Sequence, residues 1–390
     1  MADRLRRWRH DLHRIPETGL AEHRTGDYLA AELAAMGLDV TRGIGGTGLV
    51  ATVRGSSSSS TGESRGIGLR ADMDGLPLLE RTALPYRSRH EGTMHACGHD
   101  GHLAMLLGAG QVLAAEGGFG GVVHLVFQPA EEHGLGAKAM IADGLFERFP
   151  VEAMFGLHNM PGLAAGRIST RVGALMSSED NFEVRIVGRG GHASQPQMVV
   201  DPLVVAAQIV LGLQTIVARN VHPADTAVVS CTEISSDGAR NAIPSEVLIR
   251  GDTRSFTGEV RELLQRRLRE LCDGICAAYG ATCTVAYTHE FEPTVNDAGA
   301  TRLAVAAARL TVPDDQVDPD CPPFMASEDF GAFGRLVPSC FALLGNGVGV
   351  GAGGTPLHSH DYDFNDAILE TGVAYYVNLV RSALPPAAAT

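Results

Sequence analysis

The chain has 390 residues, 45% of them hydrophobic and 19% charged, with a formal net charge of -14. That length asks for two or three domains of ordinary globular composition, and the acidity argues against nucleic acid or an anionic membrane as a partner. No apolar run approaches the length of a membrane span, the N-terminus has no signal-peptide core, and seven irregularly spaced cysteines suit reduced thiols in a cytoplasm.

In chain order, Leu5, Trp8, Leu12 and Ile15 recur on one helical face, and Pro16 ends that helix. A second helix is expected from about Glu22 to Met36. Strands follow at Val40–Ile44 and Leu49–Val53, then a serine-rich connector from Gly55 to Ser64 with no functional role. Ile67–Ala71 reads as a strand that delivers Asp72 and Asp74 at its C-terminal end, the edge where open α/β sheets build their sites. Taken alone, these two acids read better as turn formers.

The stretch from Met94 to His102, Met-His-Ala-Cys-Gly-His-Asp-Gly-His, places His95, Cys97, His99 and His102 close together, with glycines that permit tight turns. An apolar helical run, Leu103 to Leu113, follows. On a turn entering that helix, Cys97 and His99 can reach one divalent ion. Val122–Phe127 has the composition of a buried strand and leads to Glu131 and Glu132. Adjacent carboxylates there are costly unless a cation neutralises them. One can bind metal while the other acts as a base; the alternative is an acid pair at a helix N-terminus. A further strand, Ala153–Leu157, ends in His158.

From about Leu175 the texture changes. An alternating strand (Asn181–Val187), a Gly-rich turn with His192, a helix (Pro202–Val217), strands at Ala227–Ile234 and Val247–Asp252 around Asn241, a helix (Thr257–Tyr279) and a strand (Ala281–Tyr287) give the order β-α-β-β-α-β. That is the order of a ferredoxin-like α+β sandwich. It is predicted as an insertion over 176–290 into a domain made of 1–175 and 291–390. The chain resumes with a helix (Thr301–Leu310), a strand (Cys340–Leu344) and a Gly-rich loop (Gly345 to Gly354) that opens onto His358 and is a candidate to shape the substrate pocket. A closing helix and a frayed tail from Pro385 complete it.

Cys97, His99, Glu132, His158 and His358, with Asp72, Asp74 and Glu131 nearby, are too many donors for one closed tetrahedral site. They suit two divalent ions that leave a position open for water and substrate, acidify that water and polarise a carbonyl. Glu131 is then the general base, passing the proton of water to a leaving nitrogen.

Eight motifs in order carry a resemblance: Arg70-Ala-Asp-Met-Asp-Gly-Leu-Pro77, His95-Ala-Cys-Gly-His-Asp-Gly-His102, Phe127-Gln-Pro-Ala-Glu-Glu132, Gly156-Leu-His158, Gly188-Arg-Gly-Gly-His-Ala-Ser194, Asn241-Ala-Ile-Pro244, Ser327-Glu-Asp-Phe330 and Leu357-His-Ser359. Through them the chain resembles the hippurate hydrolase and indole-3-acetyl-amino-acid hydrolase group of dinuclear metallo-amidohydrolases, within the aminoacylase/carboxypeptidase superfamily. The resemblance implies an α/β catalytic domain with a mixed, helix-flanked sheet of zinc-peptidase type, and an inserted lid and dimerisation domain. It places metal ligands on Cys97, His99, Glu132, His158 and His358, and the base on Glu131. It has Asp74 orient a ligand, and His192 and Asn241 bind the substrate or its oxyanion, in some relatives from the partner subunit. The implied reaction is hydrolysis of the amide bond in N-acyl or N-aroyl amino acids; a dipeptidase or an N-acetyl-diaminopimelate-type deacetylase is the alternative. Two ions per chain are expected, zinc or manganese, with cobalt or nickel also accommodated, in a homodimer or dimer of dimers.

Arg254 is a candidate clamp for the substrate carboxylate; its other reading is a surface strand arginine. Related branches carry a histidine ligand at the position of Asp72, so Asp72 is not counted as a ligand. His360 is read as a loop histidine, and His95, His102 and His133 as supporting.

Overall fold

The computed structural model describes residues 1–55, 65–351 and 353–386. The serine-rich connector beyond Gly55 and the end of the tail lie outside the described residues. The chain divides into two compact units: Met1–Leu175 with Val295–Pro323 and Asp329–Thr390, and Met176–Thr294 with Phe324–Glu328.

The first unit is built on an eight-stranded sheet, in the order Asp39–Ile44, Gly48–Arg54, Val122–Gln128, Gly66–Asp72, Ala153–Pro161, Ser339–Gly347, Ile168–Ser169, Val317–Asp318. Val122–Gln128, Gly66–Asp72, Ala153–Pro161 and Ser339–Gly347 run parallel, so their C-terminal ends share one edge. Antiparallel partners flank them, giving the mixed sheet expected from the order of elements. Every residue of Gly66–Asp72 and Val122–Gln128 is buried. Continuous burial of this kind requires cover on both faces, which explains why these strands are mostly apolar without a polar-out alternation.

One cover is the helix His99–Glu116, packed against Ala2–His13 and Leu369–Ala383. Gly108 permits this close approach, because a Cβ there would lie 2.6 Å from both Leu5 and Val373. Trp8, Leu12, Leu103 and Leu107 fill the interface, and full burial of a large apolar side chain contributes about 1.5–3 kcal/mol.

The second unit is an antiparallel sheet in the order Ala227–Ser236, Glu246–Ser255, Glu179–Val187, Thr282–Phe291. Counted along the chain, that is second, third, first, fourth, the strand order of a ferredoxin-like sandwich. Phe182, Val184 and Ile186 alternate inward against the helices Pro202–Arg219 and Gly258–Tyr279. Residues 324–328, which the sequence assigned to the first domain, group with this unit. Ser177 N–H donates to Ala326 O at 2.9 Å, and Ser327 Oγ donates to Glu179 Oε2 at 2.6 Å.

The sequence also suggested no segment of membrane-spanning length. In fact the helix Pro202–Arg219, 18 residues with mean hydropathy 1.6, is long and apolar enough to cross a membrane. Its polar members Gln208, Gln214 and Thr215 are uncharged, and its one charged residue, Arg219, stands at its end. Val205, Ile209, Leu213 and Ile216 enter the core of the unit, while Leu203, Val204 and Leu211 are exposed.

Candidate metal centre

The C-terminal edge of the parallel strands collects the chemistry. Gly66–Asp72 ends beside Val122–Gln128, with Asp72 opposite Gln128. Beyond those ends stand Asp74 and the turn carrying Glu131 and Glu132, while His158 lies inside Ala153–Pro161. The helix carrying His99 begins at Gly98, whose φ is 94°. A Cβ there would lie 2.3 Å from Asn159 Oδ1 and 2.7 Å from the Tyr362 hydroxyl, so only glycine lets the helix start at this point.

The candidate donors form a continuous chain of near contacts. Cys97 Sγ lies 3.5 Å from His158 Nε2 and 3.4 Å from His358 Nε2. His358 Nε2 is 3.5 Å from Glu132 Oε1, which is 4.0 Å from His99 Nε2. His99, Glu131 and Glu132 offer ligand atoms within 4.8 Å of one another. The structure thus gathers Cys97, His99, Glu131, Glu132, His158 and His358 at one edge. His358 is the open member, with its side chain 53% exposed.

Main-chain carbonyls orient two of the imidazoles. His99 Nδ1 lies 2.8 Å from Asp74 O, and His158 Nδ1 lies 2.6 Å from Asn159 O. A carbonyl can only accept, so each Nδ1 carries hydrogen, and in the neutral ring Nε2 is the nitrogen that presents a lone pair to the centre. The Asp74 carboxylate accepts the N–H groups of Glu131 (3.1 Å) and Glu132 (3.0 Å), holding the turn that carries both acids. Ala130, at φ 49°, is kept in the left-handed region by its N–H bond to Glu22 Oε1 at 2.8 Å. His358 N–H donates to Ala96 O at 2.8 Å, which sets its ring against Cys97.

These residues fit a divalent cation. Among the described residues, His99 Nε2 and Glu132 Oε1 are buried without a hydrogen-bond partner, and each such atom costs about 1–3 kcal/mol if left unanswered. Burial alone would lower the His99 pKa, but Asp72, Asp74 and Glu132 outweigh it and raise the group to about 10. The local field therefore favours positive charge. His158 is held well below the usual imidazole range by burial and by neighbouring His102, which keeps it in the neutral form that ligates.

Behind the donors runs a second line of polar groups. Asp72 is fully buried, its Oδ1 2.6 Å from His102 Nδ1 and its Oδ2 2.8 Å from Arg70 Nη1. Although burial opposes its charge, His99, His102 and Arg70 hold its pKa well below the carboxylate range. His102 Nε2 reaches Asn159 Oδ1 at 2.7 Å, and Asn159 Nδ2 donates to the Tyr362 hydroxyl at 2.6 Å. The sequence reading did not single out Asn159 or Tyr362; the only signal for Asn159 was its place after His158. His360 Nδ1 binds Leu79 O at 2.6 Å and so secures a loop. Gly351 and Gly353 of the Gly-rich loop line a cavity of about 620 Å³ together with Arg81, Leu84 and Asp363.

In the second unit, His192 pairs opposite Ala242, and Ala193 N–H donates to Asn241 O at 3.0 Å, so His192 and Asn241 stand side by side. His192 Nδ1 accepts the Ser194 N–H at 3.2 Å, which leaves the hydrogen of the neutral ring on Nε2. Arg254, the candidate clamp, is already paired within this unit. Its Nε lies 2.7 Å from Asp252 and its Nη2 2.9 Å from Glu179, so the fork is already committed to two carboxylates.

Comparison with known proteins agrees with this geometry. The family model for peptidase family M20/M25/M40 matches residues 68–382. The chain is 39% identical over 376 residues to the hippurate hydrolase of Campylobacter jejuni subsp. jejuni serotype O:2, covering 96% of this chain and 95% of that protein. It is 38% identical to the N-acetyl-L-cysteine deacetylase of Bacillus subtilis, covering 86% of this chain and 79% of the relative. Among solved structures it resembles the Bacillus subtilis YXEP protein, a dinuclear metal binding peptidase from the M20 family, with a TM-score of 0.83, 30% identity and 98% of each chain covered. The chain belongs to peptidase family M20/M25/M40.

Proposed function

We propose that this protein is a metal-dependent amidohydrolase that cleaves the amide bond of N-acyl amino acids, with Glu131 as the general base. The observation that carries the reading is the pair of buried, unanswered donors, His99 Nε2 and Glu132 Oε1, beside a second carboxylate at Glu131. The relatives support the substrate class, since hippurate and N-acetyl-L-cysteine are both N-acyl amino acids.

Cys97, Glu132 and His358 would hold one divalent ion, and His99 and His158 a second, with Cys97 within reach of both groups. The ions are zinc or manganese, or cobalt or nickel in their place. When bound, they supply Lewis acidity toward the amide carbonyl and the attacking water. Glu131 takes the proton of that water and delivers it to the leaving amine nitrogen. Asp74 holds the Glu131–Glu132 turn so that one acid ligates while its neighbour stays in reach of the water. His192, through Nε2–H, and Asn241 donate to the substrate, from this chain or from a partner copy. Arg254 is given no substrate role, because a carboxylate would have to displace Glu179 or Asp252.

The 176–290 insertion is proposed as a lid and dimerisation unit. The exposed apolar face of Pro202–Arg219 and the outer strand Ala227–Ser236 support a homodimer through this unit. The free thiols of all seven cysteines support a reducing, cytoplasmic setting.

The test is to count metals per chain and assay hippurate, N-acetyl amino acids, indole-acetyl conjugates and a dipeptide with wild type and Glu131→Gln. About two metals, with turnover of an acyl amino acid that drops at least a hundredfold in the variant while metal is retained, is the expected result. Protein that takes up no divalent metal, or turnover unaffected by Glu131→Gln, would refute it.

A further inference from the structure

The N-terminal helix Ala2–His13 supplies none of the candidate ligands, yet it places a fully buried guanidinium behind the centre. Arg9 Nη1 lies 3.2 Å from Asp100 Oδ2 and 3.1 Å from Asp363 Oδ1, and Arg9 Nε lies 2.5 Å from Asp366 Oδ1. These carboxylates belong to two different segments. Asp100 follows His99 in the stretch that also carries Cys97, whereas Asp363 and Asp366 lie just beyond His358. The two segments deliver Cys97 Sγ and His358 Nε2 to within 3.4 Å of each other, although the residues are 261 apart in sequence.

Neighbouring groups fix the guanidinium in turn. Its Cζ lies 4.6 Å from the centroid of the Tyr86 ring, and the Tyr86 hydroxyl donates to Asp363 Oδ2 at 2.9 Å. His13 Nδ1 meets Asp100 Oδ2 at 2.8 Å, and His10 Nε2 meets Asp366 Oδ2 at 2.9 Å. A planar fork with several donors holds carboxylates from both segments at once in a fixed geometry, whereas an ammonium is a compact charge on a flexible stem and sets no such spacing.

We propose that Arg9 is a positioning residue for the metal centre: by gripping Asp100 and Asp363 together, it sets the spacing of Cys97 and His358, and hence the affinity for the ion those two share with Glu132. The inference rests on the metal-dependent reading above. It predicts a selective effect, because His99 and His158 are also oriented by the carbonyls of Asp74 and Asn159, which Arg9 does not touch.

The test uses Arg9→Lys, which keeps a buried cation but loses the fork, and Asp363→Asn, which neutralises one of the two carboxylates that hold Arg9 to the His358 segment and leaves Asp366 in place. Zinc dissociation constants are measured by chelator competition, and the cobalt-loaded proteins are read by the thiolate-to-cobalt absorption of Cys97. A control, Arg261→Lys, loosens the buried Arg261–Asp180 pair of the second unit. In folded Arg9→Lys and Asp363→Asn, the weaker of the two metal affinities is expected to fall at least tenfold and the other less than threefold, with an altered thiolate band. The control should leave both constants unchanged.

Two tight metals in wild type and unchanged constants in both variants would overturn this inference alone. Equal weakening of both metals, matched by Arg261→Lys, would also overturn it, as general loosening. Wild-type protein that binds no metal would overturn the metal reading and this inference with it.

Discussion

Asp74 and His99 are joined through the main chain: the carbonyl oxygen of Asp74 accepts from His99 Nδ1 at 2.8 Å while its carboxylate accepts the N–H groups of Glu131 and Glu132. One residue thus fixes the tautomer of an imidazole through its carbonyl and the position of two acids through its carboxylate, whose Oδ1 also lies 3.5 Å from His99 Nδ1; substitution of the side chain leaves the carbonyl in place.

Asp74→Ala keeps the carbonyl and deletes the carboxylate. It should therefore leave His99 oriented but release the Glu131–Glu132 turn. Metal affinity is expected to fall about 10- to 100-fold, as when a group behind a ligand is lost. Stability should fall by about 1–3 kcal/mol for the buried N–H groups left unpaired. Chelator competition and urea unfolding measure the two effects separately.

Gly98→Ala tests the start of the ligand-bearing helix. A left-handed φ costs about 1–3 kcal/mol for a residue with a Cβ, and the added carbon would press on Asn159 and Tyr362. The expected outcome is a loss of at least about 2 kcal/mol, together with weakened metal binding. A variant of wild-type stability would show that the Asn159–Tyr362 pair yields easily.

The His13–Asp100 pair predicts a loss of stability in alkali. Burial opposes the charge on His13, but Asp100 and Glu80 outweigh it and raise the pKa to about 9 from an ordinary 6.5. A base with a raised folded pKa contributes its full stabilisation below 6.5 and loses it as pH rises through 9. At 1.36 kcal/mol per unit, the upper bound is about 3 kcal/mol. Urea midpoints of metal-free protein should decline between pH 6.5 and 9 in wild type and stay flatter in His13→Gln.

Removal of metal should also register as lost stability. A ligand that binds only the folded chain contributes about 4 kcal/mol at a thousandfold excess over its dissociation constant. The thermal midpoint should therefore fall with a chelator and recover on adding zinc or manganese. A midpoint indifferent to both would contradict a site built from Cys97, Glu132 and His358.

Much of this was legible in the sequence, for a physical reason. Parallel strands are buried on both faces, so they appear as mostly apolar runs, and polar residues concentrate where the strands end. Asp72, Asp74, Glu131, Glu132 and His158 stand at or near those ends, and the stretch from Met94 to His102 announces itself by composition. The β-α-β-β-α-β order of the second unit was readable from periodicity. What sequence alone could not supply was partnership across distance. Arg254 read as a candidate clamp or a surface arginine because nothing local reveals that Glu179, from another strand, shares its guanidinium with Asp252. Arg9 looked like one charge on an amphipathic helix, whereas folding brings it to Asp363, 354 positions away. The apolar length of Pro202–Arg219 was hidden by scattered uncharged polar residues, and which of its faces is buried depends on the sheet beneath it. Sequence determined which side chains can ligate, accept or carry charge, since that is a property of each residue and its neighbours. Tertiary structure decided which of them meet, because a buried charge takes whichever partner the packing brings within about 3 Å.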